Sequence, residues 1–211
     1  MQSHAVKVAN KALKGHITNV TVRAIFRSSA FDLRFPKLGK RIEMIAYLSL
    51  GSNLGARAAN LRQAIRRLEN MGGVQAVSSF YETEPVEVER EQPWFLNCVL
   101  ALKTQLGPEQ LLERILAVEQ AMGRRRTEPK GPRIIDLDII FWGDVVINTP
   151  ELTIPHPAMQ QRRFVLEPLA EIAPDLLHPV LKRSVRELLA DLPQESGTVR
   201  KLSAADLRLE S

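Results

Sequence analysis

Beyond residue 43 the apolar positions follow two rhythms, one of strands and one of helices. Residues 45–50, IAYLSL, form a short apolar run stopped by Gly51, Ser52 and Asn53, which predicts a buried strand. Leu61, Ala64, Ile65, Leu68 and Met71 then recur at helical spacing, and Gly72 and Gly73 supply residues that tolerate a left-handed cap. Residues 74–81 and 95–104 read as the second and third strands, joined by a polar, acid-rich loop over 82–93. Ordered loops of that length are often functional. Gly107, Pro108 and Glu109 open a second helix with proline at its first position; Leu111, Leu112, Ile115, Val118 and Met122 line one face, and Gly123 ends it. A basic loop leads into a fourth strand over 134–142. Residues 145–147 add a short hairpin partner after Gly143 and Asp144, and helical segments follow near 159–170 and 185–192. Strand, helix, strand, strand, helix, strand is the order of a ferredoxin-like split βαβ sandwich. The expected fold is therefore α+β, a mainly antiparallel sheet with helices on one face and the other face free.

Composition alters this picture only at the N-terminus. A chain of 211 residues with 45% hydrophobic and 25% charged residues is ordinary for a soluble globular protein. Its net charge of +5 is unevenly placed: residues 1–43 hold nine Lys or Arg against Asp32 and Glu43, a net +7, which leaves −2 for the remainder. Basicity thus belongs to the N-terminal segment and gives no reason to expect a nucleic-acid partner. Residues 1–43 show no sustained periodicity and read as a basic, disordered extension or tail upstream of Met44, with an organelle transit peptide as the alternative. A single domain is expected over 44–196, followed by a weakly ordered tail over 197–211. No apolar run approaches the roughly 18 residues of a membrane span, so no membrane partner is expected. Cys98 lies within an apolar stretch and reads as a core residue in a reducing compartment, which suits a cytoplasmic location.

The run GPRIIDLD over residues 131–138 carries the most chemistry. Alternate side chains of a strand share a face, so Asp136 and Asp138 project together, with Cβ atoms roughly 6 to 7 Å apart, while Ile135, Leu137 and Ile139 point the other way. Two carboxylates so placed repel each other and ask for a cation, for which magnesium is the natural candidate. On spacing alone the pair fits an exposed sheet face equally well. Arg124, Arg125, Arg126, Lys130 and Arg133 crowd the loop that leads into the strand. Helix-end capping accounts for Arg124 and Arg125 but not for Arg133, whereas a phosphate ligand beside a metal would use both signs of charge. Neither a Walker-type nor a dinucleotide glycine motif occurs.

With LGSNL over 50–54, VSSFYET over 77–83, Gln92 and Pro93, FLN over 95–97, Glu119, Gly123, Arg124 and Arg126, GPRIIDLD, LTIPH over 152–156, Arg162 and Phe164, residues 44–180 resemble the 6-hydroxymethyl-7,8-dihydropterin pyrophosphokinase family. The resemblance implies transfer of pyrophosphate from ATP to the hydroxymethyl group of the pterin, with release of AMP, in folate biosynthesis. It implies two Mg2+ ions on Asp136 and Asp138, with Arg124 and Arg133 beside them as catalytic groups. Glu119, Arg126, Ile139, Thr153, His156 and Arg162 would surround the nucleotide. Thr83, Pro85, Val86, Phe95, Asn97 and Phe164 would form the pterin pocket. From the residues alone, His156 also fits a structural histidine, and Phe95 or Phe164 plain core. Residues 127–130, TEPK, are one residue shorter than the usual family loop, and Lys130 is expected to take over a phosphate contact. A monomer acting on ATP and the pterin is expected. The runner-up is an RNA-binding module of the same topology, against which stand the two aspartates where stacking aromatics would sit.

Overall fold

The computed structural model describes residues 42–86, 91–124, 131–193 and 197–209. Arg41–Ser211 forms a compact unit of its own, and residues 1–41 of the expected basic extension lie outside the described residues. In the interior of the sheet, one strand in from an edge, runs β1 (Met44–Ser52). It pairs antiparallel with β4 (Phe95–Thr104) on one side and with β5 (Asp136–Trp142) on the other. Two short strands share the outer edge of β4: β2 (Gly73–Val77) runs beside residues 100–103 and β3 (Tyr81–Thr83) beside residues 95–97. The second strand expected over 74–81 is thus split. Ser78 explains the break, because its Oγ accepts from the Val99 N–H at 3.0 Å and donates to the Ser79 carbonyl at 2.8 Å, inserting a side chain where the ladder would continue.

One face of the sheet is covered by α1 (Arg57–Leu68) and α2 (Pro108–Ala121). Leu61, Ala64 and Leu68 of α1 and Leu111 and Ile115 of α2 are fully buried against Ala46, Leu48, Leu50, Cys98, Leu100 and Leu102. Burial of each leucine or isoleucine contributes about 1.5–3 kcal/mol, so this face supplies most of the fold's driving force. Gly72 does not cap α1 in the left-handed region as expected. It is extended (φ 162°, ψ −175°), and it must be glycine because a Cβ there would lie 2.2 Å from the Lys103 carbonyl oxygen.

The expectation of helices on one face only is overturned. After β5 come β6 (Ile147–Asn148) and β7 (Thr153–Ile154), then α3 (Arg163–Ile172) and α4 (Val185–Ala190). Val165, Leu166, Leu169, Val185 and Leu188 pack with Val99, Ile140 and Phe141 on the second face. A bulge creates that apolar patch: β1 pairs Leu48 with Ile139 but Tyr47 with Phe141, so Ile140 is the extra residue and both Ile140 and Phe141 turn toward α3. Residues 145–147 do not pair with the fourth strand; β6 pairs with β7, because the Thr149 N–H bonds the Leu152 carbonyl at 2.9 Å and closes a separate hairpin.

The tail expected from 197 onward is corrected as well. Val199–Lys201 forms β8 on the outer edge of β3, and α5 (Ala204–Leu209) follows it. Polar VRK lacks an apolar rhythm, so nothing in its pattern marks it as a strand. Among the described residues no helix is long and apolar enough to cross a membrane.

Candidate active site

Helices α3 and α4 cover the second face around Val99, Ile140 and Phe141. Toward the start of β5 that face opens into a cavity of ≈140 Å3 floored by Ser49 and Gly51. Arg133, Asp136, Asp138 and Arg162 line its charged end; Val86, Phe95 and Phe164 line its apolar side, with Thr83, Glu84 and Asn97 between. The strand alternation read from GPRIIDLD holds: Leu137 and Ile139 are buried in the first-face core, while both aspartates face the cavity.

Local structure fixes the charged end. Gly123, at φ 88°, turns the chain out of α2 and places Arg124, whose guanidinium bonds both Glu119 and Asp136 Oδ1, the latter at 2.5 Å. Arg133 reaches the other oxygen of Asp136, also at 2.5 Å. Glu119 is only 3% exposed and its Oε1 accepts from the Leu137 N–H at 2.8 Å. That bond pins α2 to β5 between the two aspartates, which gives Glu119 a positioning task in this arrangement.

Asp138 is in a different situation. Burial pushes its carboxyl up to about 6, the charge of Asp136 acts in the same sense, and Arg162, Arg124 and Arg133 oppose them. The site therefore holds one carboxylate matched by arginines and one whose negative charge is disfavoured without a cation. Among the described residues no group of three or more His, Cys, Asp or Glu is placed to cage a metal. Magnesium fits a two-carboxylate set, since it is commonly held by one or two carboxylates, water and substrate phosphates. Arg133 keeps a buried Nε that has no hydrogen-bond partner among the described residues, an unmet donor beside the aspartates.

The opposite end is built for a flat polar ring. A Cβ on Gly51 would sit 2.7 Å from Asn97 Oδ1, so glycine leaves room for that amide. Asn97 and Thr83 are buried, and Asn97 Nδ2 donates to Thr83 Oγ1 at 2.7 Å, which orients the amide within an otherwise apolar strand. Guanidinium groups lie over both phenylalanine rings: Arg133 is 5.4 Å from the Phe95 centroid and Arg162 5.7 Å from that of Phe164.

Several expected residues stand elsewhere. The side chain of Ile139 is in the first-face core and Pro85 borders an open groove with Gln92, Pro93 and Trp94. Thr153 lies on β7, two residues before Pro155 and three before His156. The His156 N–H bonds the Ile140 carbonyl at 3.1 Å, and its Nδ1 accepts from the Ala158 N–H at 3.3 Å. Burial, then the charge of Arg162, lower the imidazole to about 4, so it is neutral near pH 7. Arg126, Lys130 and the loop 127–130 lie outside the described residues. The structure gives Asn53 a task that the sequence did not assign to it. Asn53, 2% exposed, accepts from the Arg133 N–H at 2.7 Å and donates to Gln92 Oε1 and the Pro93 carbonyl, each at 3.2 Å. Its signals were its place in the LGSNL motif and a polar residue directly after an apolar strand.

The family model for 7,8-dihydro-6-hydroxymethylpterin-pyrophosphokinase (HPPK) matches residues 47–174. The chain belongs to the HPPK family. It is 44% identical over 149 residues to the 2-amino-4-hydroxy-6-hydroxymethyldihydropteridine pyrophosphokinase of Methylorubrum extorquens, covering 70% of this chain and 92% of that one. It is 39% identical over 192 residues to the folic acid synthesis protein fol1 of Schizosaccharomyces pombe, covering 89% of this chain but 26% of that one, so it spans about a quarter of that relative's length. A solved Plasmodium falciparum HPPK-DHPS with pterin and p-hydroxybenzoate has the same fold, with a TM-score of 0.59 and 20% identity over 72% of this chain and 44% of that one. The ferredoxin-like expectation is thereby borne out. The matched HPPK segment holds both aspartates, Arg124, Arg133, Arg162 and every cavity residue above, and it ends before β8. The RNA-binding alternative finds no support, since α3 and α4 cover much of the face that would stack bases.

Proposed function

We propose that this chain transfers pyrophosphate from ATP to the hydroxymethyl oxygen of 6-hydroxymethyl-7,8-dihydropterin, releasing AMP, as a step of folate biosynthesis. The observation that carries the reading is the meeting, in one cavity, of an aspartate pair ringed by arginines and an amide-and-phenylalanine pocket. At ≈140 Å3 the cavity is below the roughly 300–1,000 Å3 of a drug-sized site, which suits one small ring system with the nucleotide lying across its charged mouth.

Asp136 and Asp138 would hold two Mg2+ ions. When bound, they would supply charge neutralisation on the ATP phosphates and lower the pKa of the attacking hydroxyl. Asn97, oriented by Thr83, would bond the polar edge of the pterin, and Phe95 and Phe164 would flank its ring. That seating would aim the hydroxymethyl oxygen at the β-phosphorus. The new bond joins that oxygen to the β-phosphorus as the bond from the β-phosphorus to the α-bridging oxygen breaks; AMP leaves and the hydroxyl proton goes to solvent. Arg124 and Arg133 would move from Asp136 toward the phosphates as the carboxylates take up metal, and the unpaired Nε of Arg133 offers a further donor. Arg162, with Arg126 and Lys130 of the loop, would complete the phosphate contacts. Neutral His156 and Thr153 would stand beside the nucleotide. Placement and charge stabilisation would supply most of the rate.

The same reading takes the protein as a cytoplasmic monomer, in keeping with a buried free thiol at Cys98. Incubation with magnesium, ATP and the hydroxymethyl-dihydropterin should yield AMP and the pterin pyrophosphate in equal amounts. Production of ADP, or no nucleotide turnover, would reject the assignment.

A further inference from the structure

The wall of the cavity formed by Thr83, Glu84 and Val86 is held from outside by a segment that lies beyond the family match. Strand β3 is three residues long, and β4 occupies only one of its edges. Its other edge pairs with β8, Thr83 opposite Val199, Glu82 opposite Arg200 and Tyr81 opposite Lys201. Backbone bonds extend the pairing at both ends: the Leu202 N–H donates to the Phe80 carbonyl at 2.8 Å, and the Glu84 N–H to the Thr198 carbonyl at 3.3 Å. Thr198 N–H in turn donates to the Glu84 carboxylate at 3.2 Å. Gly197, at φ 93°, brings its backbone against Val86, so that a Cβ would lie 3.5 Å from Val86 Cγ1.

Side chains extend the hold in two directions. Arg200 bonds Glu82 Oε2 at 2.9 Å, while Arg57 of α1 bonds Oε1 at 2.9 Å and reaches the Trp94 carbonyl at 2.8 Å, one residue before Phe95. Lys201 bonds Glu171 at 3.0 Å, and Glu171 also accepts from Ser79 and from the Tyr81 hydroxyl at 2.8 Å. Glu171 lies on α3, the helix that carries Phe164. Leu202 anchors the segment by burial in the main core.

We infer that β8 and the turn at Gly197 are a positioning element for the pterin: they hold Thr83, Glu84 and Val86 at the depth that lets Thr83 orient Asn97. A three-residue strand with one free edge lacks the hydrogen bonds to keep a wall in register, and here the second edge is supplied from the far end of the chain. Among the described residues its hydrogen bonds and ion pairs run to Phe80, Glu82, Glu84, Glu171 and Asp206 and not to Asp136, Asp138, Arg124, Arg133 or Arg162, so its loss affects one substrate and spares the other. This rests on the proposed function, since it names the pterin as the ligand of that wall.

The test uses the full chain with two substitutions. In an antiparallel ladder alternate residues exchange bonds, and the bonds at 80–202 and 84–198 place the 82–200 pair among them, so Arg200→Pro removes a donor to β3. Gly197→Val strains a positive φ and pushes branched methyls toward Val86. Each protein is titrated with hydroxymethyl-dihydropterin in magnesium and a non-hydrolysable ATP analogue, and separately with the analogue alone, beside a melting curve and hydrogen exchange of residues 81–84. For both variants we expect pterin affinity to fall at least about 10-fold with analogue affinity within about 3-fold, and amide protection at 81–84 to drop in Arg200→Pro. Unchanged pterin affinity in the two folded variants overturns the inference, as does an equal fall in both affinities. If the unsubstituted protein binds no pterin, the proposed function itself fails, a result distinct from either.

Discussion

Asp136 and Asp138 share a strand face, yet their amide replacements should move stability in opposite directions. Asp136 accepts from Arg124 and from Arg133, each at 2.5 Å, so Asp136→Asn turns one of two acceptor oxygens into a donor that faces a guanidinium. Losing a hydrogen bond to a charged group costs about 1.5–3 kcal/mol. Asp138 is the reverse case, because burial and then the charge of Asp136 raise its carboxyl from 3.8 to about 6. A carboxyl that holds its proton more tightly when folded makes stability fall as pH rises from near 4 to above 6, and the loss persists at higher pH. At about 1.4 kcal/mol per pH unit this displacement corresponds to about 3 kcal/mol at most, and about 1–3 kcal/mol allowing for screening. Without divalent ions at pH 8, Asp138→Asn should therefore be more stable than the unsubstituted protein by about 1–3 kcal/mol, and the gap should close near pH 4. Magnesium should then stabilise the unsubstituted protein, by about 2.7 kcal/mol at 100 times its dissociation constant, and neither variant. Urea denaturation at pH 4, 6 and 8, with and without magnesium, reads all of this. An Asp138→Asn protein less stable than its parent at pH 8 in the absence of metal would refute the reasoning. Turnover should be lost in both variants.

Phe95 and Phe164 are half-buried at the cavity, so Phe95→Ala and Phe164→Ala should each weaken pterin binding by about 10-fold, the equivalent of about 1.4 kcal/mol, with nucleotide-analogue binding within a few-fold. Parallel loss of both affinities with a collapsed melting transition would instead make them core residues. His156 is lowered from 6.5 to about 4 mainly by burial, so its protonation opposes folding and stability should rise with pH between about 4 and 6.5. Asp138 slopes the other way in that window, so the effect is best read in an Asp138→Asn background, where His156→Gln should flatten the profile; an unaltered slope would sink it. A chain starting at Met44 should keep a cooperative melt and its activity, since every described site residue lies beyond it; an unfolded product would refute that.

Legibility in the sequence followed the contrast between a residue and its pattern. Asn97 in an apolar strand, and Asp136 and Asp138 alternating with Leu137 and Ile139, contradict the rhythm around them, and the structure brings all three to one cavity. Contrast also accounts for the readings that failed. Val199, Arg200 and Lys201 break no rhythm because they have none; their strand exists through what β3 lacks on its free edge. Glu119 and Asn53 break no rhythm and were legible only through the family motifs, since the backbone groups they bond stand 18 and 80 positions away. The hardest case was α3. Phe164, Val165, Leu166 and Leu169 declare an apolar stripe, and a stripe says that a helix has something to bury without saying against what. One extra residue, Ile140, decided it by turning Phe141 to the second face and giving the stripe a partner. That same docking places Arg162 and Phe164, at the head of α3, over the cavity that holds Asp136 and Asp138. A bulge two residues after a proposed metal ligand thus also sets the opposite wall of the site, and no periodicity in the sequence announces it.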